Sequence, residues 1–189
     1  QAGEGFETLT YQRYYPVFAG STLPVKELGW ADMYTSMGIS GVTMPLTGEA
    51  AVNPQTPVVA LGFTMCHEMA HRMCIALERD ANLAAFLACD ANSDPIFRYS
   101  GYFMAFRYCY NALVSVNTTA STAAAKQIYA GIGKELKQDL DYYREFYNTH
   151  MDDKASNVAN TANDTYIKVS GDESGTKSYD EVSGLLISW

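Results

Sequence analysis

A short motif near the middle of the chain has the residue types and the spacing of a metal-dependent hydrolase site. His67 and Glu68 are adjacent and His71 follows three residues later, so the sequence contains HExxH. Residues four apart lie on one face of a helix, so both imidazoles can reach a single ion. Glu68 lies about a quarter turn away and can accept a proton from a metal-activated water without being a ligand. The motif therefore predicts zinc held by His67 and His71, with Glu68 as the general base.

The surroundings of the motif strengthen this interpretation. Between Val58 and His71 the only polar side chains are those of Thr64, His67, Glu68 and His71. A helix that is apolar almost all round is a buried one. Burying two imidazoles and a carboxylate there costs several kcal/mol unless they are paired or bound to a metal. We therefore prefer a metal site to a pair of ordinary core histidines.

A catalytic zinc usually takes a third protein ligand, and two carboxylates follow the motif closely. Glu78 and Asp80 are about 200° apart on a helix, so only one of them can face the metal. Glu78 shares its face with Asn82 and Ala85, which favours Glu78, and Asp80 stays the alternative. Asn82 is a candidate to orient one of the ligand histidines. The third histidine lies in a polar stretch and is interpreted as a surface residue.

The remaining parts of a hydrolase site are less clearly marked. An oxyanion needs a donor besides zinc, and Tyr99, Tyr102 and Tyr166 are candidates, of which we select Tyr102 and Tyr166 as catalytic residues. Residues 38–53 contain alternating apolar positions broken by Gly and Pro, which predicts a hairpin or an edge strand. Such an edge can hold an extended peptide through main-chain hydrogen bonds.

The elements that must position these residues are mainly helical. The sequence predicts a single domain over residues 1–189, mainly α with a small β element. Residues 1–37 form an N-terminal segment, with weak periodicity over 1–26, and 38–53 form the strand element. The HExxH helix covers 58–73 and begins after Pro57. A helical remainder fills 78–189, with the predicted helices at 78–89, 95–116, 119–148, 155–169 and 179–189.

Composition excludes several classes of function. The 189 residues are 48% hydrophobic and carry a net charge of −8, which argues against disorder and against nucleic-acid binding. No apolar run approaches the roughly 18 residues of a membrane span, so we expect this chain itself to be soluble. It begins at Gln1 rather than Met, and we expect a segment upstream of it. The four cysteines form no CxxC pair; we interpret them as small buried thiols, with one or two disulfides as the alternative.

Several stretches resemble a bacterial domain family of unknown function whose members are predicted HExxH zinc metallopeptidases. The similar stretches span much of the chain and are GISG, PLTGEA, the HExxH helix, ERDAN, SDPIFRYSGY and NDTYIK. The resemblance implies N-terminal membrane helices, outside this chain, and a position on the extracytoplasmic face. The pattern Glu78-x-x-Ala81-Asn82 is also similar to the ExxA(D/N) element of gluzincins, where the glutamate is the third zinc ligand. That similarity implies a zincin-like fold. Where relatives often read EDEAN, this chain has Arg79 and Asp80.

The sequence therefore predicts a zinc metallopeptidase that acts on a peptide or protein substrate. The alternative is a non-catalytic zinc-binding sensor or interaction domain, which a closed site with four protein ligands would favour.

Overall fold

The architecture is mainly helical with one small sheet, as expected from the sequence. The computed structural model describes residues 1–13, 15–20, 23–44, 46–169 and 178–188, without the side chains of 162, 163, 166–169 and 178–181. The helices in these ranges are α1 Ala2–Tyr11, α2 Ala31–Ser36, α3 Val58–Arg72, α4 Glu78–Asp90, α5 Pro95–Ser115, α6 Thr119–Gly131, α7 Lys134–His150, α8 Asp153–Val169 and α9 Ser178–Ser188. The strands are β1 Lys26–Glu27, β2 Gly41–Met44 and β3 Glu49–Val52, and Pro16–Phe18 forms a 3₁₀ turn.

The sheet has the strand order β1-β3-β2, so β2 lies at one edge. β2 and β3 form the predicted hairpin, with Gly41 opposite Val52 and Met44 opposite Glu49. The amide of Asn53 donates to the carbonyl of Ser40. In an antiparallel pair, hydrogen-bonded and non-hydrogen-bonded residues alternate. The main-chain groups of Gly41 and Thr43 therefore point away from β3, at the free edge of the sheet.

The core forms where α1 and α5 pack against the alanine-rich helix α4. Buried residues of α4 include Ala81, Ala84, Ala85 and Ala88. Such small side chains allow backbones to approach closely: a Cβ added to Gly5 of α1 would lie 1.9 Å from the carbonyl oxygen of Ala88. Helix α3 packs on both α4 and α5 and also contacts the hairpin. It is therefore held from several sides.

A tight cap reverses the chain between α3 and α4. The amide of Cys74 donates to the carbonyl of His71, and the amide of Ile75 donates to that of Ala70. These two bonds form a Schellman motif. Cys74 occupies its left-handed position with φ of +67°, where glycine is usual because a Cβ costs about 1–2 kcal/mol. The cap sets the direction in which α4 leaves and so positions Glu78.

One expectation about the elements was wrong. The helix predicted over 119–148 is two helices, because Ile132 is extended (ψ 151°) and Gly133 caps α7. The N-terminal segment, for which the sequence predicted no element, contains α1, which buries Phe6 and Leu9 completely. The helices predicted at 78–89, 95–116, 155–169 and 179–189 are confirmed to within two residues at each described end. The sequence also predicts a loop at 171–178; its residues 171–177 lie outside the described residues, as does Trp189, and Ser178 begins α9.

The four cysteines are free thiols in different environments. Cys66 and Cys89 are buried as expected, Cys109 is half-buried, and Cys74 is exposed, which corrects its expected burial. Among the described helices, none combines the length and the hydropathy that crossing a bilayer requires.

The contact between α1 and α4 can be tested with Gly5→Ala. Alanine is the better helix former by about 1 kcal/mol, but its Cβ would overlap the Ala88 carbonyl, and such overpacking costs about 1–3 kcal/mol. We expect the melting temperature to fall by several degrees in differential scanning calorimetry. Gly184→Ala is the matched control, because Gly184 is helical and no atom lies within 4 Å of an added Cβ; its melting temperature should not fall. A Gly5→Ala protein as stable as the parent would show that α1 does not pack here.

Candidate metal centre

Helices α3 and α4 bring three potential metal ligands to one point. The Nε2 atoms of His67 and His71 are 3.0 Å apart. Oε2 of Glu78 lies 3.2 Å from the first of these nitrogens and 3.5 Å from the second. Ligands about 2.0–2.2 Å from a tetrahedral zinc are separated by about 3.3–3.6 Å. The three atoms therefore fit the ligand triangle of a single small cation to within a few tenths of an ångström.

The electrostatics of this group also fit a cation. Burial alone would raise the pKa of Glu78, but the hydrogen bonds and charges of His67 and His71 outweigh it and hold that pKa well below its usual range. Burial would lower the pKa of His71, but the carboxylate of Glu78 raises it instead. Oε2 of Glu78 is buried, and it faces the two imidazole nitrogens at ion-pair distance rather than in full hydrogen-bond geometry. Such an atom is costly unless a positive charge lies beside it.

The cap of α3 orients one of the two histidines. Nδ1 of His71 donates to the carbonyl of Ile75 across 2.9 Å, so Nε2 carries the lone pair that a metal requires. The Ile75 carbonyl therefore orients His71, a role that the sequence had suggested for Asn82. The side-chain oxygen of Asn82 instead accepts from the hydroxyl of Tyr108 at 3.2 Å. Nδ1 of His67 is buried without a partner among the described residues.

Glu68 lies next to the cluster and is only 5% exposed. The hydroxyl of Thr43 in β2 lies 2.7 Å from its Oε2. A Cβ added to Gly41 would lie 2.6 Å from its Oε1, so a side chain there would displace the carboxylate. Burial raises the pKa of Glu68, against the opposing charges of His67 and His71 and the hydrogen bond from Thr43. The edge strand thus holds Glu68 in place.

A cavity of about 820 Å³ opens in front of the cluster. His67, Glu68, His71 and Glu78 line it on one side. The other lining residues come from the end of α2, the strand segment, the turn after α3, and helices α3, α4, α5, α7 and α8. They include Met37, Ile39, Val42, Met44, Phe63, Asn82, Met104, Tyr108, Tyr143 and Ala159. This volume lies within the usual range for ligand sites.

Other candidate residues from the sequence lie elsewhere. Asp80 pairs with Arg79 at 3.0 Å on the exposed side of α4, so the structure brings Glu78 to the histidines and leaves Asp80 out. Tyr102 does not line the cavity, and its hydroxyl donates to Asp90 at 2.9 Å. This position corrects its assignment to the site. The side chain of Tyr166, on α8, lies outside the described residues.

The third histidine and the remaining tyrosine candidate are also remote from the cluster. Nδ1 of His150 donates to the carbonyl of Phe146 at the exposed end of α7. The hydroxyl of Tyr99 donates to Asp139.

Sequence reasoning missed Tyr108, Thr43 and Gly41. Tyr108 continues a stripe on α5 that runs through Phe97, Gly101 and Met104 at steps of four, three and four residues. The first three members of this stripe are buried, so the stripe marks the face of α5 that packs inward, whereas Tyr102 lies off it. No comparable signal identifies Thr43 or Gly41, whose importance depends on how the hairpin packs against α3.

Comparison with known proteins identifies a family but no activity. Neither the curated proteins nor the solved structures contain a match to this chain. The profile of one family, described as a protein of unknown function (DUF3810), matches residues 1–187. This match covers nearly the whole chain, and the chain therefore belongs to the DUF3810 family of proteins of unknown function.

Proposed function

We propose that this chain is a zinc-dependent peptidase domain with a zincin-like arrangement of its site. The proposal depends mainly on one observation: two imidazole nitrogens and a carboxylate oxygen converge within 3.0–3.5 Å beside a buried glutamate, at the wall of an open cavity. A catalytic site needs each of these features, and here the HExxH motif and Glu78 supply them.

Zinc suits this donor set. Two imidazoles and one carboxylate are the ligands of a common class of catalytic zinc site. Structural zinc sites have four protein ligands, whereas His67, His71 and Glu78 form a group of three among the described residues. The cavity lies on their open side. This arrangement favours a catalytic role over the alternative of a non-catalytic zinc-binding sensor or interaction domain.

The chain's own residues supply the proton transfers. When bound, zinc acts as a Lewis acid and lowers the pKa of water at its open position. Glu68 accepts a proton as the water oxygen bonds to the peptide carbonyl carbon, and it returns this proton to the nitrogen as the C–N bond breaks. The products are a carboxylic acid and an amine, and the acid then gives its proton to the amine or to solvent. Burial within an apolar helix suits Glu68 to this exchange because it raises the carboxyl pKa and so makes the carboxylate a stronger base.

The free edge of β2 is suited to hold the substrate. Gly41 and Thr43 direct their main-chain groups away from β3, and both residues line the cavity. An extended peptide can pair with such an edge as an added strand. Because Thr43 also contacts Glu68, the bound main chain would lie close to the general base.

Tyr108 takes the place of Tyr102 as the candidate oxyanion donor. Its hydroxyl is 3.2 Å from Asn82 at the cavity wall, where it could turn toward a developing negative charge. Tyr166 remains a proposal from the sequence.

The cellular setting is also a proposal. The resemblance of the sequence to predicted membrane-anchored peptidases supports an extracytoplasmic position for the full-length protein, with attachment through a segment outside this chain.

Metal content tests the ligand set. Protein purified without chelator should contain about one zinc per chain by inductively coupled plasma mass spectrometry. His67→Ala and Glu78→Ala should each lose most of this zinc, because two remaining ligands bind weakly. Asp80→Ala is the matched control and should keep it. If Asp80→Ala lost its zinc while Glu78→Ala kept it, Asp80 and not Glu78 would be the third ligand.

Glu68→Gln separates catalysis from metal binding. Glutamine has the same shape but cannot accept the proton, so we expect cleavage of a peptide library to fall by about 100-fold or more while zinc content is unchanged. Glu49→Gln, at the exposed start of β3, is the control. Peptide cleavage that persists in Glu68→Gln would refute the proposed general base.

Thr43→Val tests whether the edge strand positions Glu68. Valine keeps the shape and the strand preference of threonine but removes the hydrogen bond to a carboxylate, which is worth about 1.5–3 kcal/mol. We expect kcat to fall by about 10-fold or more, with zinc content unchanged. Thr43→Ser retains the hydroxyl and should restore most of the activity. Equal rates for the valine and serine variants would mean that this bond has no catalytic role.

A further inference from the structure

We propose that the cavity selects substrates with a large apolar side chain, aromatic or of the Leu and Met type, next to the bond that is cleaved. This inference rests on the proposed peptidase function and adds the class of residue that the site accepts. It depends on the chemistry of the cavity wall that faces the edge strand.

Much of that wall consists of aromatic and thioether side chains that contact one another, next to the polar side chains of Thr64 and Asn82. The rings of Phe63 and Tyr108 lie 6.0 Å apart, and Phe63 also stacks on His67 at 6.4 Å. Tyr143 of α7 continues the wall, with its ring 5.7 Å from that of buried Phe103. Met104 is 7% exposed and lines the same cavity. Phe63 connects this apolar surface directly to a metal ligand.

The opposite wall is also mostly apolar. The lining residues on this side are Met37 at the end of α2 and Ile39, Val42 and Met44 of the strand segment. Side chains of an extended peptide point alternately to the two faces of its strand. If a peptide paired with β2, its side chains would therefore project alternately above and below the sheet. The aromatic wall and the wall of the strand segment would then cover them.

The charged residues of the cavity disfavour an acidic side chain. The described residues that line the cavity include Glu68 and Glu78 but no lysine or arginine. Arg107 is near, but its guanidinium stacks on the Tyr143 ring at 3.8 Å and does not line the cavity. Apart from the proposed zinc, whose charge Glu78 partly offsets, an acidic side chain would thus meet the Glu68 carboxylate and no cationic side chain among the described lining residues. Any charged side chain would also lose its hydration against apolar walls.

The free energy of burying an aromatic side chain gives the expected ratio of kcat/KM between an apolar and an acidic substrate. An apolar residue gains roughly 25 cal/mol for each Å² removed from water, and differences of this kind discriminate substrates by about 10- to 200-fold. We therefore expect kcat/KM for a peptide with Phe at the selected position to exceed that for its Asp counterpart by about 100-fold. Ala should lie between the two.

The experiment uses zinc-loaded protein and quenched fluorescent peptides that differ at one position, which carries Phe, Leu, Ala, Lys or Asp. The position is first located by mass spectrometry of products from a mixed library. Rates in the order Phe and Leu, then Ala, then Lys and Asp are expected. Equal rates across the series, or faster cleavage of the Asp or Lys peptide, would overturn the inference.

A binding measurement separates this inference from the proposed function. Hydroxamates that carry a benzyl, methyl or carboxymethyl group are titrated calorimetrically into zinc-loaded Glu68→Gln, which needs no turnover. Tighter binding of the benzyl compound would support the apolar wall even if no peptide were cleaved, whereas a carboxymethyl compound that binds as tightly would overturn it. Absent cleavage together with this preference would count against the peptidase function alone.

Tyr143→Ala tests the wall itself. It removes apolar surface and uncovers the guanidinium of Arg107, so the preference for benzyl over carboxymethyl should fall by about 10-fold. Tyr142→Ala is the matched control, because Tyr142 is the preceding residue of α7, is 52% exposed and does not line the cavity. Zinc content and melting temperature verify that both variants are folded. An unchanged preference in a folded Tyr143→Ala protein would contradict the assignment of this residue.

Discussion

The site depends on the hydrogen-bonded cap that ends α3. Its two bonds, to the carbonyls of Ala70 and His71, reverse the chain within a few residues. The same turn presents the Ile75 carbonyl to His71, which fixes the ring, and starts α4 so that Glu78 returns to the histidines. Contacts between residues close in the sequence are therefore enough to bring the three potential ligands together. The left-handed conformation of Cys74 is a cost that the rest of this arrangement must offset.

The cap alone would not keep such a polar cluster inside the protein. Two imidazoles and two carboxylates lie in the half-buried wall of a core made of alanine, phenylalanine and methionine. The close contacts of the alanine-rich helix α4 with α1 and α5 leave little freedom for α4 to move away from α3. Packing thus supplies the rigidity, and the opposite charges of Glu78 and the histidines supply the local attraction that keeps their side chains together.

The part of the site on α3 and α4 could be predicted because it follows from helical spacing. A helix alone brings His67, Glu68 and His71 close together. A short turn after it is enough to bring Glu78 near them, and the small residues on the same face of α4 indicated that Glu78 faces the histidines. Tyr108 and Thr43 could not be selected in the same way, since they reach the cavity through packing between elements far apart in sequence. The break at Ile132 was missed because the apolar period continues across it, while the backbone there is extended.

The edge strand β2 has consequences for which insertions the protein can accept. Gly41 and Thr43 present the same face of the strand to Glu68. Gly41 leaves space there because it has no side chain, and the Thr43 hydroxyl donates a hydrogen bond to the carboxylate. Adjacent residues of a strand point to opposite faces, so a shift of one residue would replace this pair by Val42 and Met44. A bulky side chain would then occupy the space of the Glu68 carboxylate. We therefore expect the protein to accept an inserted or deleted residue in the exposed turn after Leu46, where the register of β2 is unchanged. The same change within β2 would shift the residues that face Glu68 and would disrupt the site.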